Sequence, residues 1–312
     1  MLHRNKFLGA VFLLAALAPC FAQDPIFRAD TRLVVLYTSV VDKNGNLVTN
    51  LPREAFRVYE NGVEQQLKIF RREDVPLSLG LVIDNSGSMR NRRETVEAAV
   101  MNLVKSSNRE DQVFIVNFND EAYLDVPFTN QIEKMEEGVA RIDSRGGTAM
   151  RDAISMSIDY MREEGKLDKK VLLVITDGED NASSVTLEQL VRKAQQSEVL
   201  IYTIGLLSDE DRSAARRARR ALAAISEASG GLAFFPQQLS EVNDLALRVA
   251  HELRNQYILA YTPSNQALDG SYRSIRVRVE GPNNPVARTR TGYYATPEPR
   301  SKASFSSSST LR

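Results

Sequence analysis

Cysteine, histidine and long apolar runs are all scarce in this chain. Its 312 residues include one cysteine, Cys20, and two histidines, His3 and His251. A lone cysteine closes no intrachain disulfide, so cross-links are excluded as a source of stability. A serine hydrolase generally needs an imidazole base, and His251 lies in "LRVAHELRNQ", a stretch that reads as a surface helix with no orienting partner for a catalytic histidine. Excess charge is missing as well. Lys and Arg total 40 and Asp and Glu total 40, so no overall field points to nucleic acid or to a membrane surface. The apolar run from Phe7 to Ala18 falls short of the ~20 residues that a hydrocarbon crossing needs.

That run has the pattern of a secretory signal peptide over residues 1–22: Arg4 and Lys6 precede it, and Pro19, Cys20, Phe21 and Ala22 follow. Cleavage is expected after Ala22, giving an exported protein, periplasmic or secreted. "LAPC" offers a second reading, a lipid anchor on Cys20, although Pro19 stands where such signals take Gly, Ala or Ser. The mature chain is then expected to be near neutral, without cysteine and without a transmembrane helix.

Residues 26–75 read as β structure. "TRLVVLYTSVVD" is β-branched and apolar, and "KNGN" supplies a turn. "FRVYENGVEQQLKIF" is a hairpin candidate around Asn61-Gly62. "DKNGN" also begins like a calcium loop, but Leu47 and Arg53 occupy the positions where an EF-hand needs Gly and Glu, so the turn reading stands.

Residues 76–255 change texture. "LSLGLVI", "QVFIVNF", "KKVLLVIT", "EVLIYTIGL" and "GLAFF" are short continuous apolar runs, as in a parallel sheet covered on both faces. Helical patterns lie at 92–106, 131–142, 149–164, 187–197, 209–229 and 240–254. "EAYLDVPFT" follows "QVFIVNF" too closely for a helical crossover and is expected as an antiparallel edge strand. The fold class is α/β, a doubly wound, mostly parallel sheet. β texture returns over 256–295 in "QYILAYTP", "YRSIRVRVE" and "ARTRTGYYA". The simplest architecture inserts the α/β domain into a small β-sandwich built from both flanks; two unconnected β appendages are the alternative. The Ser-rich stretch 296–312 reads as disordered.

Ligands of open parallel sheets bind beyond the carboxyl ends of the strands. "VIDNSGSM" places Asp84, Ser86 and Ser88 at one such end, and "LLVITDGED" places Asp177 at another. Between them, "RGGTAMRDAI" sets Thr148 at the start of a helix. Each loop alone is ordinary turn and capping chemistry. Together they present two carboxylates and three hydroxyls, hard oxygen donors suited to Mg²⁺ (or Mn²⁺) that leave room for an outside carboxylate.

This set resembles the metal-ion-dependent adhesion site of the von Willebrand factor A domain: Asp-x-Ser-x-Ser, a distant Thr, a distant Asp. Asp84, Ser86, Ser88, Thr148 and Asp177 match it in order. The resemblance covers roughly 75–255, and the flanks look like those of an exported acidobacterial-type subfamily. It implies a binding protein rather than an enzyme: a protein partner donates an Asp or Glu carboxylate to the bound metal. In the family the hydroxyls tend to bind directly and the aspartates through water. An envelope protein in which the metal only stabilises the fold is the second hypothesis, and a metal-dependent enzyme the third. Asp84 could serve as a nucleophile in phosphoryl transfer, but the serine pair and the Gly-Gly-Thr loop suit ligation better, and Asn-Ser-Gly-Ser is not a nucleophile elbow.

Other residues carry weaker readings. Asp152, one helical turn after Thr148, either orients the loop or is a surface helix residue. Glu179 and Asp180 are candidates for the rim. "DRSAARRARRALAAISEAS" is either a basic patch for an anionic partner or, more commonly, the solvated face of an amphipathic helix. Nucleic acid is not expected as a partner of an exported protein. Asn181-Ala-Ser has the form of a glycosylation sequon and is given no weight.

Overall fold

The computed structural model describes residues 33–140, 145–208 and 211–297. The leader, Cys20 and the Ser-rich stretch from 298 onward lie outside them. Among the described residues no helix is long and apolar enough to cross a membrane.

The chain opens with β1 (Val34–Val41), β2 (Phe56–Glu60), β3 (Val63–Gln65) and β4 (Leu67–Arg71). The alternating layer follows: β5 (Leu77–Asp84), α1 (Arg93–Lys105), β6 (Gln112–Phe118), β7 (Ala122–Thr129), α2 (Ile132–Ala140), α3 (Met150–Glu164) and β8 (Lys169–Thr176). It continues through α4 (Leu187–Ser197), β9 (Leu200–Gly205), α5 (Arg212–Ser229), β10 (Ala233–Phe234) and α6 (Val242–Arg254). Four strands close the chain: β11 (Tyr257–Tyr261), β12 (Tyr272–Val279), β13 (Val286–Arg288) and β14 (Gly292–Tyr294).

The central six-stranded sheet has the order β10-β9-β8-β5-β6-β7. Every pairing is parallel except β6 with β7, the antiparallel edge expected from the short connection. This is the doubly wound α/β fold. All eight residues of β5 are buried, which explains its continuous apolar run. Its side chains divide by period two. Leu77, Leu79, Leu81 and Ile83 pack with α1 and α6, whereas Val82 joins Phe114, Leu172 and Ile154 on the opposite face. Gly80 lies on that second face because nothing larger fits. A Cβ there would come 2.3 Å from the ring of Phe114. Phe128 and Tyr160 pack edge-on against that ring, with centroids at 4.9 Å. Gly80→Ala is therefore an overpacking substitution, expected to cost about 1–3 kcal/mol. A urea titration should show the midpoint falling at constant slope.

Two four-stranded antiparallel sheets, β13-β1-β11-β4 and β14-β12-β2-β3, lie outside this layer. Each combines strands from before and after the α/β segment, with Leu36 opposite Leu259 and Val58 opposite Val277. Val34, Leu36, Phe56, Val58, Tyr257 and Tyr261 share one buried cluster. The hairpin at Asn61-Gly62 forms as the sequence indicates, both residues having positive φ (48° and 82°). "FRVYENGVEQQLKIF" is more than one hairpin, however. The chain leaves β3 at Gln65 and re-enters as β4 in the other sheet, beside β11.

Glu252, near the end of α6, ties the layers together while almost fully buried. It accepts hydrogen bonds from Ser39 Oγ (2.7 Å), the Tyr202 hydroxyl (3.0 Å) and Arg288 Nη2 (3.0 Å). Its partners thus come from β1, β9 and β13.

Candidate metal centre

Winding reverses between β5 and β8: the chain runs outward from β5 to β6 and β7, then returns to build β8, β9 and β10 on the other side. The crevice beyond the carboxyl ends of β5 and β8 is where this topology places a ligand. Asp84 ends β5, and Asp177 directly follows β8.

Three loops converge there and are bonded to one another. In the first, Asp84 Oδ1 accepts the amide of Ser86 at 2.8 Å, and the Ser86 and Ser88 hydroxyls stand 3.0 Å apart. The Gly87 amide donates to Gly146 O (3.3 Å) and the Arg145 amide to Asn85 O (3.0 Å), which fastens the first loop to the second. Thr148 belongs to the second loop. Its amide donates to Asn181 Oδ1 (2.9 Å), and its carbonyl accepts the amides of Asn181 and Ala182 (both 3.1 Å), fastening the second loop to the third. Asp84, Ser86, Thr148 and Asp177 are buried, and Ser88 is exposed at the mouth.

Burial sets the electrostatics. Removal from water, then the nearby charge of Asp177, pushes the Asp84 carboxyl up to about 6; hydrogen bonds from Ser86 and Thr176 pull the other way without cancelling this. Asp177 Oδ1 is buried with no hydrogen-bond partner among the described residues. Its other oxygen lies 3.9 Å from Arg92 Nη1, and that nitrogen also donates to Leu206 O at 2.7 Å. Two buried carboxylates sharing a site, one with an orphaned oxygen, make an anionic spot that a cation would satisfy. With hydroxyls for the remaining donors, the set suits a hard divalent ion such as Mg²⁺.

Several supporting residues carry no pattern in the sequence. Thr176 donates its hydroxyl to Asp84 Oδ2 (2.6 Å) and accepts the Gly178 amide (3.0 Å), bridging two loops. Asp120 accepts the Gly147 amide at 2.7 Å. Asn181, whose sequence context has only the form of a sequon, is the clamp on Thr148. The sole advance signal for Thr176 was its place beside Asp177 on a buried strand.

The alternatives for Asp152 resolve here: it holds a loop. Its carboxylate accepts the amides of Ser184 (2.9 Å) and Val185 (2.8 Å) and the Ser184 hydroxyl. Burial works against its ionisation, but those bonds prevail and keep it below the usual carboxylate range. Asp180 is turned inward rather than forming a rim. It accepts Arg151 Nε (3.0 Å), Nη2 (3.1 Å) and the Arg151 amide (2.8 Å). Glu179 is exposed, as is His251 on α6.

A doubly wound sheet with its loops gathered at the switch point defines the class of fold. Residues 79–179 match the family model of the von Willebrand factor type A domain, and over that span the chain is similar to such a domain. An uncharacterized protein of Borreliella burgdorferi is 27% identical over 157 residues, 46% of this chain and 46% of its own length. An uncharacterized protein of Synechocystis is 26% identical over 189 residues, 57% of this chain and 44% of its own. Mouse integrin alpha-11 is 29% identical over 142 residues, 42% of this chain and 12% of that protein. The chain thus spans less than half the length of these curated relatives. Among solved structures, an aerotolerance-related membrane protein of Bacteroides fragilis superposes with TM-score 0.45 at 18% identity, over 57% of this chain and 98% of that one.

Proposed function

We propose that the chain is an exported binding protein, not an enzyme. In this reading Asp84, Ser86, Ser88, Thr148 and Asp177 hold a divalent cation, Mg²⁺ or Mn²⁺, through which a protein partner's Asp or Glu carboxylate is captured. The supporting observation is the laced loop cluster with two buried carboxylates and the orphaned Asp177 oxygen. When bound, the cation supplies the positive charge that draws a carboxylate to this otherwise anionic crevice. Ser86, Ser88 and Thr148 contribute neutral oxygens, so the ion's charge is not exhausted by the protein's own donors. The Gly87–Gly146 and Thr148–Asn181 bonds hold those oxygens in place before any partner arrives.

A calorimetric titration of chelator-treated protein with Mg²⁺ and Mn²⁺, carried to millimolar metal, tests the site. Saturable binding is expected in the parent and none in Asp84→Ala; no binding in either removes the proposal. Arg92→Gln gives a graded check. Arg92 lies 3.9 Å from Asp177, and its guanidinium would oppose a divalent cation about 8 Å away by roughly 1 kcal/mol in water. Removing its charge should tighten Mg²⁺ binding about fivefold, while glutamine can keep the bond to Leu206.

The buried carboxylates also favour a second reading, in which the metal only stabilises the fold. Partner capture separates the two: a binding module loses it with Asp84→Ala while staying folded, whereas a structural site loses thermal stability.

A further inference from the structure

The arginine-rich stretch on α5 is a surface that the metal reading does not use. Its buried face is Ala218, Leu222, Ile225, Ala228 and Ser229. Opposite stand Arg212, Arg216, Arg217, Arg219 and Arg220, all exposed. The helix carries one acid, Glu227, well along from these arginines. Among the described residues, none of the five lies within ion-pair distance of a carboxylate, whereas Arg151, Arg254, Arg288 and Arg290 each have one. Three of them make neutral contacts instead. Arg216 Nε donates to Arg212 O (3.1 Å) and Arg217 Nη1 to Ser213 Oγ (2.8 Å), and the Arg219 guanidinium lies 4.1 Å from the Phe235 ring centroid. Asp211, the acid at the helix start, is occupied as its cap by the amides of Ser213 and Ala214. Asp209 and Glu210 lie outside the described residues.

This face adjoins the candidate metal centre. A Cβ on Gly178 would come 2.7 Å from Ala218 Cβ, so the backbone just after Asp177 packs on the turn of α5 between Arg217 and Arg219. Arg217 also lines an open groove of about 460 Å³ with Met150, Arg151, Glu179, Asp180 and Asn181. Arg151 and Asp180 neutralise each other there, leaving Glu179 against Arg217. The net positive charge is on the helix.

We infer that α5 forms a docking strip for an acidic peptide segment of the partner, which lays its carboxylates along Arg212, Arg216, Arg217 and Arg220 while one reaches the metal centre. This rests on the proposed metal-dependent capture. Charge complementarity identifies the occupant, and chain chemistry narrows it. A polypeptide carries separate carboxylates that can pass Glu179, whereas a continuous phosphate backbone would press charge against it. The strip also offers Arg, Ser and Ala without the interleaved stacking aromatics of a single-stranded nucleic-acid groove.

The test measures fluorescence polarisation of a short Asp- and Glu-rich peptide with full-length protein in Mg²⁺, at low and physiological salt. The triple variant Arg216→Glu/Arg217→Glu/Arg220→Glu should bind about tenfold or more weakly and lose most of the salt dependence. Its Mg²⁺ titration should saturate at least as tightly as the parent's, because acids placed near the site favour a cation, and this shows the fold and the metal site intact. Unchanged peptide affinity in the triple variant overturns the inference, and so does tighter binding of an oligonucleotide of equal charge. Failure of the underlying reading looks different. If the parent binds peptide equally with and without Mg²⁺, and only the α5 variant loses it, the strip stands and the metal-mediated capture falls.

Discussion

Asp84→Asn should abolish metal binding and at the same time make the metal-free protein more stable at neutral pH. Asp84 is buried beside Asp177, and its carboxyl is pushed up to about 6 from an ordinary 3.8. Between those values the folded state holds a proton that the unfolded chain has released. The stability contributed by the protonated group is present below pH 4 and is lost as pH rises through about 6. A shift of about two units corresponds to about 3 kcal/mol. Asparagine never ionises, so its advantage over the parent should widen by that amount from pH 4 to pH 8 in chelator. Lys169, whose buried ammonium is pushed down to about 7, changes stability over part of this range in both proteins and drops out of the difference. Paired urea titrations across pH provide the measurement. A constant gap would mean that Asp84 carries no buried charge. Saturating Mg²⁺ should reverse the order, because only the parent binds it. Stability given up to keep two carboxylates together is what a site built for a cation requires.

Glu252→Ala should be the most damaging change away from the site. It strips the acceptor from Ser39 and Tyr202 and leaves Arg288 without its carboxylate, all at the contact of α6 with β1, β9 and β13. Removing one partner of a buried pair costs about 3–5 kcal/mol, and a domain of this size should melt roughly 10 °C lower. Glu252→Gln keeps an acceptor for two of the three donors and should lose about half as much. Calorimetric melting of the three proteins decides this. Equal melting temperatures for alanine and parent would show that the cluster contributes nothing net.

The central sheet was readable because its strands are buried on both faces. Runs such as "KKVLLVIT" have few other ways to fold, and the short link before β7 forced an antiparallel edge. The turn at Asn61-Gly62 was equally plain, since it demands positive φ at both residues. The move of the chain from one outer sheet to the other around Gln66 was not. Alternation along "VEQQLKIF" is the same whether the partner is β2 or β11, and only tertiary pairing distinguishes them. At the loops, ligand-type residues stood out by spacing from strand ends. Their supports did not: Thr176, Asp120 and Asn181 act across 27 to 92 positions of sequence, and nothing local marks such reach. Asp180 misled for the same reason, its inward turn being dictated by Arg151 on α3. α1 begins at Arg93, within a residue of its pattern, and Gly87–Arg92 before it form a 3-10 turn that carries the serine loop.

The α/β segment leaves β4 and returns to β11, adjacent antiparallel strands with Arg71 opposite Ile258. A tug on the metal-site end of the domain therefore reaches both strands side by side and in the same direction, so those two are not dragged past each other. If the protein is held by the chain preceding Val34, resistance falls on the ladder between β1 and β11. There Val34 faces Tyr261 and Thr38 faces Tyr257, so the two strands are drawn from opposite ends. The hydrogen bonds of an antiparallel ladder run perpendicular to its strands, and this load pulls across all of them together instead of opening them one by one. Under such a load the flanking strands would act as a shear joint, while the two ends of the α/β domain would not be pulled apart from each other.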